Sequence, residues 1–178
     1  MSVIQKLLLC LFISCFLNAP AHSQESGKKK AGIEWMDLKS ALTKSSTEPK
    51  KIFIDVYTGW CGWCKRMDAT TFEDPEVVAY MNKHFYAVKL DAETRDTIVF
   101  KDKPYVFKPE YRANEIAAIF LNGQMSYPTS VYLDEKSDPI GPVAGYMTEK
   151  QLLPVLKYFA EDLYKTTKWD DYVRENIK

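Results

Sequence analysis

The feature of the sequence that most constrains its fold is a pair of cysteines directly after a strand-like run. Residues 51–57 are mostly apolar and β-branched and contain one acid, Asp55, a composition typical of a buried strand. The sequence Cys-Gly-Trp-Cys follows at positions 61–64, and the residues beyond it favour a helix. Cys61 is therefore predicted to lie where a strand ends and a helix begins.

The other segments predict an α/β fold, with a mixed sheet and helices on both of its faces. A helix–strand order of α, β, α, β, α, β, β, α follows from the spacing of apolar residues and from turn residues. The segments after the cysteines are a helix at 75–81, a strand at 84–90, an inserted β-hairpin near 97–107, a helix at 114–121, strands at 129–133 and 140–144, and a helix at 148–163. A helix from Ile33, closed by Pro49, is predicted to precede the first strand.

Length and charge limit the organisation and the partners. A chain of 178 residues with 46% hydrophobic content predicts one domain, assigned to residues 33–165, and a tail at 166–178 for which a short helix is an option. The 24 basic and 24 acidic residues cancel, so bulk charge gives no reason to expect nucleic acid or an anionic membrane as a partner. We expect a monomer that recognises its partners through local surface features rather than through its overall charge.

The N-terminal segment predicts export. Residues 1–23 have a lysine near the start, an apolar run at 7–17 and small residues before Ser23, which is the pattern of a cleaved signal peptide. The polar, basic residues 24–32 then predict a flexible spacer. The apolar run is shorter than the roughly 20 residues of a membrane span. The expected location is the periplasm or another exported compartment, and an uncleaved anchor and a lipid-modified Cys15 remain alternatives.

Cysteine usage points to reactivity. Two of the 4 cysteines fall in the predicted signal peptide, which leaves Cys61 and Cys64. A bridge that closes so short a loop adds almost no stability. A zinc site needs four ligands, and after the predicted signal peptide the chain offers only the two cysteines and one histidine, His84. An iron–sulfur cluster is disfavoured by the same shortage of thiolates, and attached haem would require histidine where the chain has Lys65. We therefore predict a redox-active dithiol that uses no metal and no other cofactor.

The predicted position of the pair suggests a division of labour. Free backbone N–H groups and the dipole at a helix start stabilise a thiolate on Cys61, which lowers its pKa and makes it the attacking group. Cys64 lies one turn further along and is placed to resolve a mixed disulfide.

Two motifs carry a family resemblance. Residues 53–65, Phe-Ile-Asp-Val-Tyr-Thr-Gly-Trp-Cys-Gly-Trp-Cys-Lys, resemble the active-site strand and helix of the thioredoxin superfamily, and Tyr127-Pro128-Thr129 resembles its cis-proline loop. Residues 71–77 resemble the group that includes the C-terminal domain of the bacterial transmembrane thiol reductant conductor. The resemblance implies a thioredoxin-like three-layer sandwich, in which the hairpin near 97–107 is an insertion absent from ordinary thioredoxin.

The resemblance also implies roles for individual residues. Asp55 matches the buried acid that handles the proton of the resolving cysteine, and Lys89 matches the lysine beside that acid. The alternatives are an exposed strand acid and an unrelated strand lysine. The implied contacts to a bound polypeptide are Trp60, Gly62, Trp63, Tyr127, Pro128 and Gly145.

One residue departs from the thioredoxin pattern. Trp63 stands where thioredoxins have proline, and since the residues between the cysteines affect dithiol stability, the reduction potential does not carry over.

The sequence thus favours an exported thiol-disulfide oxidoreductase that reduces or exchanges disulfides in protein substrates. As a reductase it would need a membrane or soluble thiol electron donor. The alternatives are a thiol oxidase or isomerase, a polypeptide-binding or chaperone-like protein of the same fold, and a helper dedicated to one client.

Overall fold

A computed structural model describes residues 32–176. The predicted signal peptide, 1–23, and all but the last residue of the predicted spacer, 24–32, lie outside the described residues. The helices and strands in chain order are β1 (Trp35–Met36), α1 (Leu38–Thr47), β2 (Lys51–Tyr57), α2 (Gly62–Ala69), α3 (Pro75–His84), β3 (Phe85–Asp91), β4 (Ile98–Phe100), β5 (Lys103–Tyr105), β6 (Phe107–Lys108), β7 (Ala113–Asn114), α4 (Glu115–Phe120), β8 (Thr129–Leu133), β9 (Pro139–Ala144), α5 (Glu149–Ala160) and α6 (Trp169–Asn176).

A mixed sheet forms the middle of the fold. Within residues 32–176 it has 5 strands in the order β1-β3-β2-β8-β9. Strands β1, β3 and β2 run parallel, whereas β8 and β9 are antiparallel to their neighbours. The predicted mixed sheet of an α/β protein is confirmed.

The two faces of the sheet bury separate cores, because successive side chains of a strand point to opposite faces. Ile52, Ile54 and Val56 of β2 pack on one face with apolar residues of α1 and α4. Phe53 packs on the other face with apolar residues of α2, α3 and α5. Asp55 shares the face of Phe53, which places this acid beneath α2, the helix that begins at the cysteine pair.

The start of the domain differs from the prediction. The helix expected from Ile33 begins at Leu38, after Asp37 caps it by accepting a hydrogen bond from Ser40 N at 2.8 Å. Trp35 instead pairs with Ala87 in the short parallel strand β1. Its ring packs edge-on against Phe72, with centroids 5.0 Å apart. The pairing and this contact, both made with residues distant in sequence, fix an extended conformation there.

The inserted hairpin is present where it was predicted. Strands β4 and β5 pair antiparallel, and Lys101 and Asp102 at the turn both have positive φ, 50° and 60°, as a tight hairpin turn requires. Phe100 anchors the insertion by packing edge-on against Phe120, with centroids 5.2 Å apart. A second ribbon, β6 with β7, follows it and was not predicted.

The C-terminal helix packs on the domain. Tyr172 of α6 is buried, and its ring lies 5.2 Å from that of Tyr158 on α5. No helix between residues 32 and 176 has the length and apolar character needed to cross a membrane.

Candidate active site

The cysteine pair lies at the first turn of α2. Cys61 is the residue that caps this helix, and its Sγ accepts a hydrogen bond from the backbone N–H of Cys64 at 3.1 Å. Both cysteines are buried, and a disulfide joins them. The predicted position at a strand-to-helix junction is confirmed.

This placement favours a reactive thiolate once the disulfide is reduced. The N–H of Cys64 already points at the sulfur of Cys61, and the start of a helix carries partial positive charge. Both features stabilise an anionic sulfur. The arrangement therefore supports Cys61 as the attacking group and Cys64 as the resolving one.

Asp55 and Lys89 form an ion pair across the two central parallel strands. They are register partners in β2 and β3, and Lys89 Nζ lies 2.6 Å from Asp55 Oδ2. Asp55 is only 1% exposed. Its burial raises the pKa of the carboxyl, and Lys89 offsets this rise only in part. Burial alone would lower the pKa of Lys89, but its two neighbouring carboxylates, Asp55 and Asp68, raise it.

Asp68 is a member of this cluster that sequence reasoning missed. Lys89 Nζ donates a hydrogen bond to Asp68 Oδ1 as well as to Asp55. Asp68 lies four residues after Cys64, so both residues lie on one face of α2. The lysine therefore links the cysteine helix to the buried acid. The four-residue spacing was the available signal, and only the register of β3 shows which cation Asp68 meets.

Ser130 is a second neighbour of Asp55 that the sequence did not reveal. It is the cross-strand partner of Asp55 on β8 and is equally buried. Among the described residues, Asp55 Oδ1 and Ser130 Oγ are both buried without a hydrogen-bond partner. Directly opposed residues of antiparallel strands share a face. Lys89, Asp55 and Ser130 therefore form a polar row across three strands.

The buried acid predicts a pH-dependent effect of Asp55→Asn on stability. Because the folded state raises the pKa of Asp55 above its ordinary value of 3.8, the unfolded chain releases this proton at lower pH than the folded chain. The contribution of Asp55 to the stability of the wild-type protein therefore falls as the pH rises above 3.8 and through the folded-state pKa. The asparagine variant lacks this contribution. We expect the difference in unfolding free energy, variant minus wild type, to increase from pH 4 to pH 7.5 in urea titrations of the oxidised proteins. A difference that is constant across this range would contradict the assignment.

Trp60 forms an exposed aromatic surface on one side of the cysteines. Its side chain is 67% exposed, and its ring lies edge-on to Tyr127 with centroids 5.9 Å apart. The indole N–H donates to Glu93 Oε1 at 3.0 Å, which fixes the orientation of the ring. Trp60 and Tyr127 therefore meet, as two of the predicted contact residues.

The loop before β8 is tied to the end of β9. The Tyr127–Pro128 peptide bond is cis, and the carbonyl of Pro128 accepts a hydrogen bond from Gly145 N at 2.8 Å. Gly145 has φ of +100°, a conformation that favours glycine because it has no Cβ. This hydrogen bond therefore fixes the backbone directly before Tyr146, which follows Gly145.

Trp63 forms a second exposed aromatic surface. Its side chain is 57% exposed, and its ring centroid lies 5.3 Å from that of Tyr146. The guanidinium carbon of Arg66 lies 5.6 Å from the Trp63 ring. Tyr146 and Arg66 were not among the predicted site residues. Arg66 follows Trp63 at helical spacing, whereas Tyr146 reaches this position only through the β9 turn.

Metal ligands are not assembled in the part of the chain that is described. Residues 32–176 contain no group of three or more His, Cys, Asp or Glu side chains arranged to hold a metal ion. His84, the histidine considered for a zinc site, ends α3 and stacks on Tyr80 with centroids 4.3 Å apart.

A mixed sheet between helices, with a Cys-x-x-Cys disulfide at a helix start, is the arrangement of a thioredoxin-like domain. The chain belongs to the Thioredox_DsbH family, described as a protein of unknown function, DUF255, whose model matches residues 26–171. This membership confirms the predicted resemblance to the thioredoxin superfamily.

The chain is similar to parts of much longer proteins. It is 30% identical over 109 residues to the uncharacterized protein B0495.5 of Caenorhabditis elegans, a match that covers 61% of the chain and 13% of that protein. It is 28% identical over 126 residues to the thiol:disulfide interchange protein DsbD of Pectobacterium atrosepticum, which covers 70% of the chain and 18% of DsbD. The chain thus spans less than a fifth of either relative.

A solved structure shows the same fold. The DsbH oxidoreductase superposes with a TM-score of 0.54 at 15% identity, covering 74% of this chain and 86% of that one. At this identity the likeness concerns the fold alone.

Proposed function

We propose that this protein is an exported disulfide reductase that acts on protein substrates through Cys61 and Cys64. The observation that carries the proposal is the position of Cys61 at the N-terminus of α2, where its sulfur accepts the N–H of Cys64. The Asp55–Lys89 pair on the adjacent strands supports it.

The reaction proceeds in two exchanges. The Cys61 thiolate of the reduced protein attacks one sulfur of a substrate disulfide, and the other substrate sulfur leaves as a thiolate and takes up a proton. Cys64 then loses its proton and attacks Cys61 Sγ, which releases the second substrate thiol. Two electrons and two protons pass to the substrate, and the protein retains the Cys61–Cys64 disulfide.

The buried polar row supplies a proton acceptor for the second exchange. Asp55 accepts the proton of Cys64, because an acid whose pKa is raised by burial is a stronger base than an ordinary carboxylate. Lys89 holds Asp55 in place and connects it to Asp68 on the cysteine helix. Lys89 is thus a positioning residue in this mechanism.

The proposed location follows from the N-terminal sequence. The signal-like residues 1–23 support action outside the cytoplasm. The chain is proposed to act as a monomer, to use its own disulfide as its redox group and to bind no nucleic acid. Electrons are proposed to come from a membrane or soluble thiol donor.

The direction of electron flow has a direct test. A reductase has to be a stronger reductant than the disulfides it reduces, so the proposal requires a reduction potential nearer to that of thioredoxin, about −270 mV, when the protein is equilibrated with glutathione buffers and its thiols are titrated. A value near that of a strong oxidant, about −120 mV, would contradict the reductase proposal and favour a thiol oxidase. The Gly62-Trp63 dipeptide makes this measurement necessary, since it differs from the thioredoxin pattern.

Polypeptide binding without redox turnover is the second candidate function. It is favoured by the exposure of Trp60 and Trp63, 67% and 57%, since exposed aromatic side chains are typical of sites that bind proteins. A reduced protein that binds unfolded polypeptides but transfers no electrons to any disulfide would support this second function.

A further inference from the structure

Two aromatic surfaces border the cysteine pair. We define the Trp60 wall as Trp60, Tyr127, Glu93 and Asp91, and the Trp63 wall as Trp63, Tyr146 and Arg66.

Each wall contains the residue directly before one cysteine and a tyrosine from one of two loops. Tyr127 precedes Pro128, Tyr146 follows Gly145, and the hydrogen bond from Gly145 N to the Pro128 carbonyl joins these loops. Both walls are therefore held in place next to the disulfide.

The Trp60 wall is acidic. Glu93 accepts the indole N–H of Trp60 at 3.0 Å, and its own backbone N–H donates to Asp91 Oδ1 at 2.9 Å. The pKa of Tyr127 is raised by burial and by these two carboxylates. Within residues 32–176 neither Glu93 nor Asp91 forms an ion pair. Two negative charges therefore lie beside the exposed ring, and no cation of residues 32–176 pairs with either of them.

The Trp63 wall is basic. The guanidinium carbon of Arg66 lies 5.6 Å from the Trp63 ring centroid and 5.9 Å from that of Tyr146. The pKa of Tyr146 is lowered, first by a hydrogen bond with Thr70 and also by Arg66. Across the described part of the chain, Arg66 has no carboxylate partner. No carboxylate of residues 32–176 therefore neutralises the positive charge that lies over these rings.

We propose that the two walls select disulfide-bonded polypeptide segments by charge: a basic residue on one side of the substrate cysteine and an acidic residue on the other. The basic side chain meets Glu93 and Asp91, and its aliphatic stem covers Trp60 and Tyr127. The acidic side chain meets Arg66 above Trp63 and Tyr146. This selectivity rests on the proposed function and names the class of substrate segment for the same site.

Four synthetic peptides test the proposal. Each carries one cysteine in a mixed disulfide with 2-mercaptoethanol, and the residues two positions before and after it are Lys/Glu, Glu/Lys, Lys/Lys or Glu/Glu. With the fully reduced protein as the stoichiometric reductant, we expect one mixed-charge order to be reduced with a second-order rate constant about tenfold above that of the reverse order, because only that order pairs both charges. The ratio should shrink in 0.5 M salt, since exposed charges are screened. Rates within twofold of one another for all four peptides would overturn the proposal.

Variants of the walls assign the two charges. Glu93→Gln is expected to remove most of the preference for a peptide with lysine at the position that meets the Trp60 wall. Arg66→Gln is expected to remove most of the preference for a peptide with glutamate at the position that meets the Trp63 wall. Arg66→Lys should restore part of the latter preference. Arg174→Gln on α6 is the matched control for Arg66→Gln and should keep the wild-type ratios. Equal ratios in wild type and in both wall variants would contradict the assignment.

A neutral substrate separates this selectivity from the underlying activity. If the reduced protein reduces hydroxyethyl disulfide but reduces the four peptides at equal rates, the charge selectivity is wrong and the proposed function stands. If it reduces neither hydroxyethyl disulfide nor any peptide, the proposed function fails and the selectivity fails with it.

Discussion

Replacing Cys61 by serine is expected to lower the rate of insulin reduction by at least about a thousandfold, since removing the nucleophile of a covalent mechanism costs this much or more. Cys61 is the cysteine whose sulfur accepts a backbone N–H at the helix start. Cys64→Ala should behave differently, because the first exchange remains possible and the second does not. This variant is expected to accumulate mixed disulfides with its substrates, detectable on non-reducing gels and by mass spectrometry.

The contrast between the two variants is the control. A disulfide that closes so short a loop contributes little stability. Both variants should therefore have a urea midpoint of unfolding close to that of the reduced wild-type protein. If Cys61→Ser instead accumulated mixed disulfides and Cys64→Ala did not, the roles of the two cysteines would be reversed. Proteins trapped on Cys64→Ala in cells would also show whether the clients are many or one.

The largest loss of stability is expected from Phe53→Ala. Phe53 is fully buried, and its ring lies 5.5 Å from that of Tyr132, with Trp35, Phe72 and Phe85 also around it. Removing a buried aromatic ring costs about 3–5 kcal/mol, a large part of the roughly 5–15 kcal/mol of a typical domain. Urea unfolding followed by circular dichroism gives this value.

An exposed apolar residue provides the comparison for Phe53. Val99 on the inserted hairpin is exposed, so Val99→Ala should change the free energy of unfolding by no more than about 0.5 kcal/mol. A loss below about 1 kcal/mol for Phe53→Ala would mean that the aromatic core under the cysteine helix does not stabilise the fold as described.

The strand and the cysteine helix could be predicted because local signals agree there. The apolar run of β2 fixes a buried strand, and the placement of Asp55 and Lys89 on neighbouring parallel strands makes them register partners. The hairpin at β4 and β5 was visible for the same reason, since its turn and its apolar residues are close in sequence.

Residues that join the site through distant pairings could not be predicted from the sequence. Ser130 meets Asp55 only because β8 pairs with β2 in one register, and Tyr146 reaches Trp63 only because the ends of β8 and β9 are tied together. Trp35 was assigned to a helix because its spacing from Leu38 fits one. The pairing of Trp35 with Ala87 on β3 decided otherwise.

Single-turnover reduction of insulin is the most direct test of the proposal that Cys61 and Cys64 are a redox-active dithiol. The reduced wild-type protein is mixed with excess insulin, and free thiols on both proteins are counted after quenching with acid. We expect each molecule to transfer two electrons to insulin and to recover its Cys61–Cys64 disulfide. A protein that keeps both thiols in the presence of insulin and of small disulfides would contradict the account.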